Sequence, residues 1–130
     1  MEGGARLDGP DSREREAVRV AFKALDDKFG EDITVLDIHG ISSIADYFII
    51  AGGSNPNQIR AMAAEAQEKL QKINFKLHHT EGLGAANWVL LDYGSVIIHI
   101  FNKESRVFYS LERLWNDAVR VSPEDLLLPS

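Results

Sequence analysis

The segment from Asn87 to Phe101, NWVLLDYGSVIIHIF, constrains the fold of this chain more than any other stretch. Two apolar runs lie on either side of Asp92-Tyr93-Gly94, and a short turn of this composition is typical of a β-hairpin. The segment therefore predicts two strands joined by a tight turn. Strands as apolar as these need cover, so the chain has to supply a sheet with helices packed on it.

The N-terminal half of the chain predicts one helix and two strands. Asp11 has a glutamate three residues later, which is the spacing of a capping box, and Gly30 is a typical helix stop, so the first helix is placed at residues 12–29. Its apolar stripe recurs at steps of three and four and consists of Val18, Phe22, Leu25 and Phe29. DITVLDIHG, residues 32–40, alternates as a strand does, and ADYFIIAGGS, residues 45–54, is apolar enough for a central strand covered on both faces.

The C-terminal half predicts a second helix, three strands and a third helix. Asn55 is a typical N-cap and Pro56 suits the first helical position, so the second helix is placed at residues 55–74. Its buried stripe consists of Ile59, Met62, Ala63, Ala66 and Leu70. FKLHHTEG, residues 75–82, alternates as a strand ahead of the hairpin, and KESRVFYSLERLWNDAV, residues 103–119, has the apolar face of a helix.

The predicted order of elements is αββαβββα, which indicates an α/β (α+β) fold: a mixed sheet of about five strands with helices packed on it. Residues 12–120 are expected to form this single domain, between a flexible N-terminal tail (1–11) and a C-terminal tail (121–130). The N-terminus lacks the basic and apolar regions of a signal peptide, and the longest apolar run is far shorter than the ~20 residues of a membrane helix. We expect a cytoplasmic protein that does not contact a membrane.

The charge and the absence of cysteine narrow the classes of partner and chemistry. Twenty acidic and 14 basic residues give a net charge of -6, which argues against a surface that binds DNA directly and suits a basic protein partner. Without cysteine, the chain has no disulfide framework, thiolate metal site or cysteine nucleophile. The four histidines show no third ligand at metal-binding spacing, so neither a metal nor a cofactor is expected.

Gly52-Gly53-Ser54 is a candidate phosphate-binding turn, because it joins a predicted strand to the N-terminus of a helix. The lysine of a P-loop and the third glycine of a dinucleotide fingerprint are missing. The arrangement also resembles the nucleotidyltransferase fold, but the next acids, Glu65 and Glu68, lie within a helix and cannot form the paired metal site of those enzymes. No catalytic residue is nominated; a nucleotide-binding or nucleotidyltransferase-like enzyme that uses this turn remains the alternative function.

Trp88, Asp92 and Tyr93 place two aromatic rings and a carboxylate around the hairpin turn, which we expect to be exposed. Trp and Tyr are frequent interface hot spots, because they bury a large area and keep one polar group. From the residues alone, packed core and partner contact are equally good interpretations of Trp88. Trp115 lies in the apolar stripe of its predicted helix, where a core position is favoured.

Three segments carry a resemblance to a known family. SSIADYFIIAGGSN, EGLGAANWVLLDYGSVIIHIF and RVFYSLERLW stand in the order and spacing of the ribosomal silencing factor family, also called Iojap-like. The match extends from about Ala17 to Ala118, and the segment from Glu81 to Trp115 is its most specific part. The chain departs from the family pattern in its tails, where the family itself varies.

The resemblance implies a function without catalysis. Members of this family look like catalytically empty relatives of the nucleotidyltransferase fold, which bind a basic protein on the subunit-joining face of the large ribosomal subunit. There they obstruct the small subunit and lower translation when nutrients are short. The family's binding surface maps to Trp88 and Asp92, with Tyr93 adjacent and Glu81 and Gly82 at its border. Because the family is often found as homodimers, a dimerisation module is a further alternative.

Overall fold

The computed structural model describes residues 12–103, 118–122 and 124 of the chain. The helices within these residues are α1 (Ser12–Asp27) and α2 (Pro56–Lys72). The strands are β1 (Glu31–Asp37), β2 (Tyr47–Gly53), β3 (His79–Glu81), β4 (Trp88–Asp92), β5 (Val96–Asn102) and β6 (Val119–Val121). Neither of these helices is long and apolar enough to cross a membrane.

The strands form one mixed sheet in the order β3-β4-β5-β2-β1-β6. Its two central strands, β2 and β5, are parallel, and every other neighbouring pair is antiparallel. All seven residues of β2 are buried, as expected for a strand covered on both faces. The predicted fold class is confirmed, with six strands within the described residues in place of about five.

The sixth strand is the main element that the sequence did not predict. Val119 was placed in the third helix and residues 121–130 in a tail, but Val119 begins β6 and Val121 pairs with Val35. This three-residue edge strand pairs with β1, which is distant in sequence, and the alternation Val-Arg-Val is too short to identify a strand by itself. The remainder of the predicted third helix, residues 104–117, lies outside the described residues.

Helix α2 begins as predicted. Asn55 adopts an extended conformation (φ -157°, ψ 163°), and its side-chain oxygen accepts a hydrogen bond of 2.9 Å from the backbone N–H of Gln58. Pro56 occupies the first turn, where its missing N–H has no consequence. The buried stripe is the predicted one: Ile59, Met62, Ala63, Ala66 and Leu70.

Helix α1 ends earlier than predicted, and this changes the position of Phe29. The helix ends at Asp27, and the N–H of Gly30 closes it by donating to the carbonyl of Leu25 at 2.9 Å. Phe29 then adopts a left-handed conformation (φ 65°) that turns its ring outward, leaving it 81% exposed. The prediction that Phe29 belongs to the apolar stripe of the helix is wrong.

Strand β3 is shorter than the predicted strand at residues 75–82. The N–H of Phe75 donates to the carbonyl of Leu70 at 3.0 Å. It thus satisfies one of the last carbonyls of α2, which have no partner within the helix. Phe75 still packs on the core, but the ladder begins only at His79.

The two faces of the sheet are covered differently. Helices α1 and α2 pack on one face, where Ile49 and Ile98 contribute to the larger core cluster. Ile50 and Ile97, their neighbours along the strands, belong to a smaller cluster on the opposite face. Side chains alternate between the faces of a strand, so in β4 the even-numbered residues from Trp88 to Asp92 lie on the face away from the helices.

Candidate functional site

Trp88 is neither a core residue nor a freely exposed one. It lies directly opposite Phe101 on β5, and the two rings are stacked with centroids 5.3 Å apart and planes inclined by 23°. Its indole N–H donates to Nδ1 of His99 over 3.2 Å, while 43% of the residue remains exposed. The structure therefore shows a partly exposed indole that packs against the buried rings of Phe101 and His99. This geometry suits a residue that anchors a partner at an interface.

His99 is the buried neighbour of this indole and is 4% exposed. Its burial disfavours the charged imidazolium and lowers its pKa to about 4. Because an indole N–H can only donate, Nδ1 of His99 must be the acceptor, and the proton of the neutral ring therefore lies on Nε2. Among the described residues, Nε2 finds no hydrogen-bond partner.

Glu81 and Asp92 lie on the same face of the sheet as Trp88. Glu81 pairs with Leu90 in the ladder between β3 and β4, and Asp92 pairs with His79. The exposed Glu81 carboxylate also contacts His79 Nε2 at 2.8 Å. Trp88, Leu90, Asp92, His79 and Glu81 are hereafter called the β3–β4 face. Trp88 and Asp92 are four residues apart along β4, or roughly 13 Å.

Tyr93 does not belong to this face, and its expected exposure is wrong. It is 4% exposed and stacks on Phe75 in the core cluster beneath the helices, with ring centroids 5.7 Å apart. Burial raises the pKa of its hydroxyl to about 12, and the hydroxyl has no hydrogen-bond partner among the described residues. Tyr93 follows the last residue of β4, so its ring turns to the face opposite that of Asp92.

The turn between the strands is held by Asp92 itself. One oxygen of its carboxylate accepts a hydrogen bond of 2.8 Å from the N–H of Gly94, and Gly94 has a positive φ of 84°. A carboxylate that accepts from the backbone two residues later is a common way to close a turn. Asp92 therefore has a structural role in addition to any contact with a partner.

Gly82 supports the backbone of Trp88. It has a φ of 84°, and a Cβ added there would lie 1.9 Å from the carbonyl oxygen of Trp88. A side chain at this position is therefore excluded by both conformation and space. Gly82 lets the chain pass close behind Trp88, so the structure gives it a supporting role at the border of the β3–β4 face.

Arg60 is a residue of this region that sequence reasoning missed. From α2, its Nε donates to the carbonyl of Leu83 over 3.1 Å and its Nη2 to that of Gly84 over 2.5 Å. These two bonds hold the loop between β3 and β4, which leads into Trp88. An arginine on an amphipathic helix is usually on the solvated face, so the sequence carried no signal for this contact.

The turn at Gly52-Gly53-Ser54 is closed by the protein's own side chains. The N–H of Ser54 donates to the side-chain oxygen of Gln58 at 2.7 Å, and the Ser54 hydroxyl donates to Glu31 at 3.0 Å. Lys103 pairs with the same glutamate at 2.7 Å. Hydrogen bonds from Lys103, then Ser54, and the lysine's charge lower the pKa of Glu31.

A phosphate at this turn would therefore meet a carboxylate and find the N–H of Ser54 already bonded. The geometry gives no support to nucleotide binding there. In the part of the chain that the structure describes, no three histidine, aspartate or glutamate side chains converge as metal ligands.

Comparison with known proteins identifies relatives that match most of the chain. Residues 11–129 match the family described as "Ribosomal silencing factor during starvation". The chain is similar to ribosomal silencing factor RsfS of Bacillus subtilis (strain 168), with 41% identity over 105 residues that cover 81% of this chain and 89% of the relative. A crystal structure from Bacillus halodurans superposes with a TM-score of 0.73 at 36% identity, covering 81% of this chain and 95% of that one.

A more distant relative is the Mus musculus protein named "Mitochondrial assembly of ribosomal large subunit protein 1". It is 28% identical over 110 residues, which cover 75% of this chain and 48% of the mouse protein. The match over residues 11–129, together with relatives of similar length and fold, shows that this chain belongs to the ribosomal silencing factor family.

Proposed function

We propose that this protein represses translation by binding a protein of the large ribosomal subunit through the β3–β4 face, so that the small subunit cannot join. The observation that carries the proposal is the partly exposed indole of Trp88, which stacks on Phe101 and lies on a face that also carries two carboxylates. Membership of the silencing family and the mouse relative's name, which refers to the large ribosomal subunit, support the choice of partner.

The β3–β4 face combines the two kinds of contact that a basic protein surface would recognise. Trp88 offers an apolar ring, and rings of this type carry much of the binding energy at protein interfaces. Glu81 and Asp92 add negative charge to the same face, and the chain as a whole has a net charge of -6. Opposite charge on the partner would raise the rate of encounter and select its orientation.

The proposed mechanism is steric and needs no chemical step. A 130-residue protein bound at the joining face occupies the space that the small subunit requires. Repression then depends on affinity and residence time, and no residue has to stabilise a transition state. The internally bonded Gly52-Gly53-Ser54 turn agrees with a protein that acts by occupancy.

Co-sedimentation with purified large subunits, followed by addition of small subunits, tests this proposal. Trp88→Ala should weaken binding about thirtyfold or more, because truncating an interface tryptophan commonly costs ~2 kcal/mol. Phe29→Ala is the matched control, since Phe29 is an exposed aromatic residue at the end of α1 and outside the β3–β4 face. The wild-type protein should also reduce the yield of joined ribosomes in a sucrose gradient.

Asp92→Arg should weaken binding as well. Asp92→Asn separates the contribution of the negative charge to binding from the role of the side chain in closing the turn. Asparagine keeps an oxygen that can accept from the N–H of Gly94 but loses the charge. Glu68→Arg, an equal change of charge on the exposed side of α2, should bind normally. Normal co-sedimentation of both Trp88→Ala and Asp92→Arg would rule out the β3–β4 face as the binding surface.

A further inference from the structure

The exposed indole of Trp88 is held by a row of rings on the face of the sheet away from the helices. Trp88 stacks on Phe101, and the ring of His99 lies nearly parallel to Phe101 with centroids 6.0 Å apart. Toward the centre of the sheet, Phe48 on β2 packs against His99, with ring centroids 4.8 Å apart. The row thus runs from β2 at the centre of the sheet, across β5, to the partly exposed Trp88 on β4, with His99 between Phe48 and Trp88.

We propose that His99 is a positioning residue, which fixes the indole of Trp88 in the orientation that the ribosomal partner contacts. This inference rests on the proposed function, because it concerns the same surface. Within the described part of the chain, two contacts restrain the indole: Phe101 supports one side of the ring, and His99 accepts a hydrogen bond from the ring N–H over 3.2 Å. Phe101 alone would support the ring in several rotations, whereas a directional hydrogen bond selects one.

The bond also determines which part of the indole remains for a partner. The only hydrogen-bond donor of the ring points inward to His99 and is not presented at the surface. A partner therefore meets an apolar ring whose orientation is set before binding. Fixing a side chain in advance removes an ordering cost of association, which strengthens binding without a new contact.

Histidine suits this position because it provides a flat ring and an uncharged acceptor together. The ring continues the stack with Phe101, and the surroundings keep it neutral, so that Nδ1 stays available to the indole N–H. Phenylalanine at position 99 would keep the ring and lose the acceptor. Asparagine would keep an acceptor near the position of Nδ1 and lose most of the ring.

These two substitutions provide the test. In full-length protein, NMR measurement of hydrogen exchange at the Trp88 indole N–H reports on the bond directly, and Trp88→Phe identifies its resonance. His99→Phe should abolish the protection of this N–H from exchange and weaken binding to purified large subunits about three- to tenfold. His99→Asn should retain more of both the protection and the affinity.

A double-mutant cycle distinguishes positioning from an effect on general stability. If His99 acts through the indole, His99→Phe should have no further effect on binding in a Trp88→Ala background. An equal further loss in that background would overturn the proposal, as would normal affinity of His99→Phe despite a freely exchanging indole. His99→Leu, which also lacks the acceptor, replaces His99→Phe if that variant does not fold.

The outcomes also separate this inference from the proposed function. If Trp88→Ala binds large subunits normally, the assignment of the binding surface fails, and the role of His99 fails with it. If Trp88→Ala weakens binding but neither His99→Phe nor His99→Leu does, the binding surface stands and only the positioning role is wrong.

Discussion

The two ends of strand β4 resemble each other in sequence but differ in structure. At one end, Trp88 is partly exposed, and its polar group is bonded to His99. Just past the other end, Tyr93 is buried under the helices, and its hydroxyl has no partner among the described residues. An aromatic residue near an acidic turn is therefore not enough to indicate a contact surface. The direction of its side chain from the strand decides between surface and core.

The largest expected effect is the loss of protein stability when the buried ring of Tyr93 is removed. Tyr93→Ala removes a buried ring that stacks on Phe75, so we expect the free energy of unfolding to fall by about 3–5 kcal/mol in urea titrations. Trp88→Ala should lower it by less, because much of that ring is already in contact with water. A larger loss of stability for Trp88→Ala than for Tyr93→Ala would mean that Trp88 is mainly a core residue.

Acid should lower the stability of the protein through His99, the buried hydrogen-bond partner of Trp88. Its pKa is about 4 in the folded protein and about 6.5 when unfolded, so the unfolded chain binds the extra proton first as pH falls. Stability should therefore decrease between pH 6.5 and pH 4, by on the order of 3 kcal/mol from this group.

Unfolding titrations of wild type and His99→Phe across this pH range measure the contribution of His99 as a difference. The other histidines and the carboxylates are common to both proteins and cancel to first order. We expect a flatter profile for His99→Phe. Identical pH profiles for the two proteins would show that His99 is not buried as a neutral ring.

Local signals explain which parts of this fold were predictable. The cap at Asn55, the proline after it and the 3.6-residue stripe all lie within α2, and its start and buried residues were predicted correctly. The hairpin from Trp88 to Asn102 was likewise defined by its own turn and apolar runs. The short strand β6 depends instead on pairing with β1, which no local pattern in its three residues could show.

The candidate site was only partly predictable, for the same physical reason. Trp88, Asp92 and Glu81 could be singled out by residue type and by family resemblance. The bond from Trp88 to His99 depends on strand register, and the contact of Arg60 with the β3–β4 loop depends on how α2 packs. The burial of Tyr93 depends on where β4 ends, and element boundaries are the least certain part of a prediction from sequence.

Salt should affect the charged and apolar parts of the β3–β4 face differently. Glu81 and Asp92 would act mainly on encounter, and charges exposed to solvent are screened over ~8 Å at physiological ionic strength. We expect the association rate with immobilised large subunits to fall several-fold as salt rises, while dissociation, governed by Trp88, changes less. A steep decrease by orders of magnitude would indicate contacts with RNA phosphates instead of a basic protein.

The smallest expected effect concerns a single oxygen atom at the Tyr93 end. Tyr93→Phe removes a hydroxyl that is buried without a partner among the described residues, so stability should be unchanged or rise by up to about 1 kcal/mol. Tyr47→Phe is the matched control, because Tyr47 is also buried but its hydroxyl lies close enough to the Arg15 side chain to interact with it. That variant should lose about 1 kcal/mol. Urea titrations of both variants give the comparison. If Tyr93→Phe is destabilised as much as Tyr47→Phe, the Tyr93 hydroxyl has a partner in solution, and the two ends of β4 are more alike than their geometry indicates.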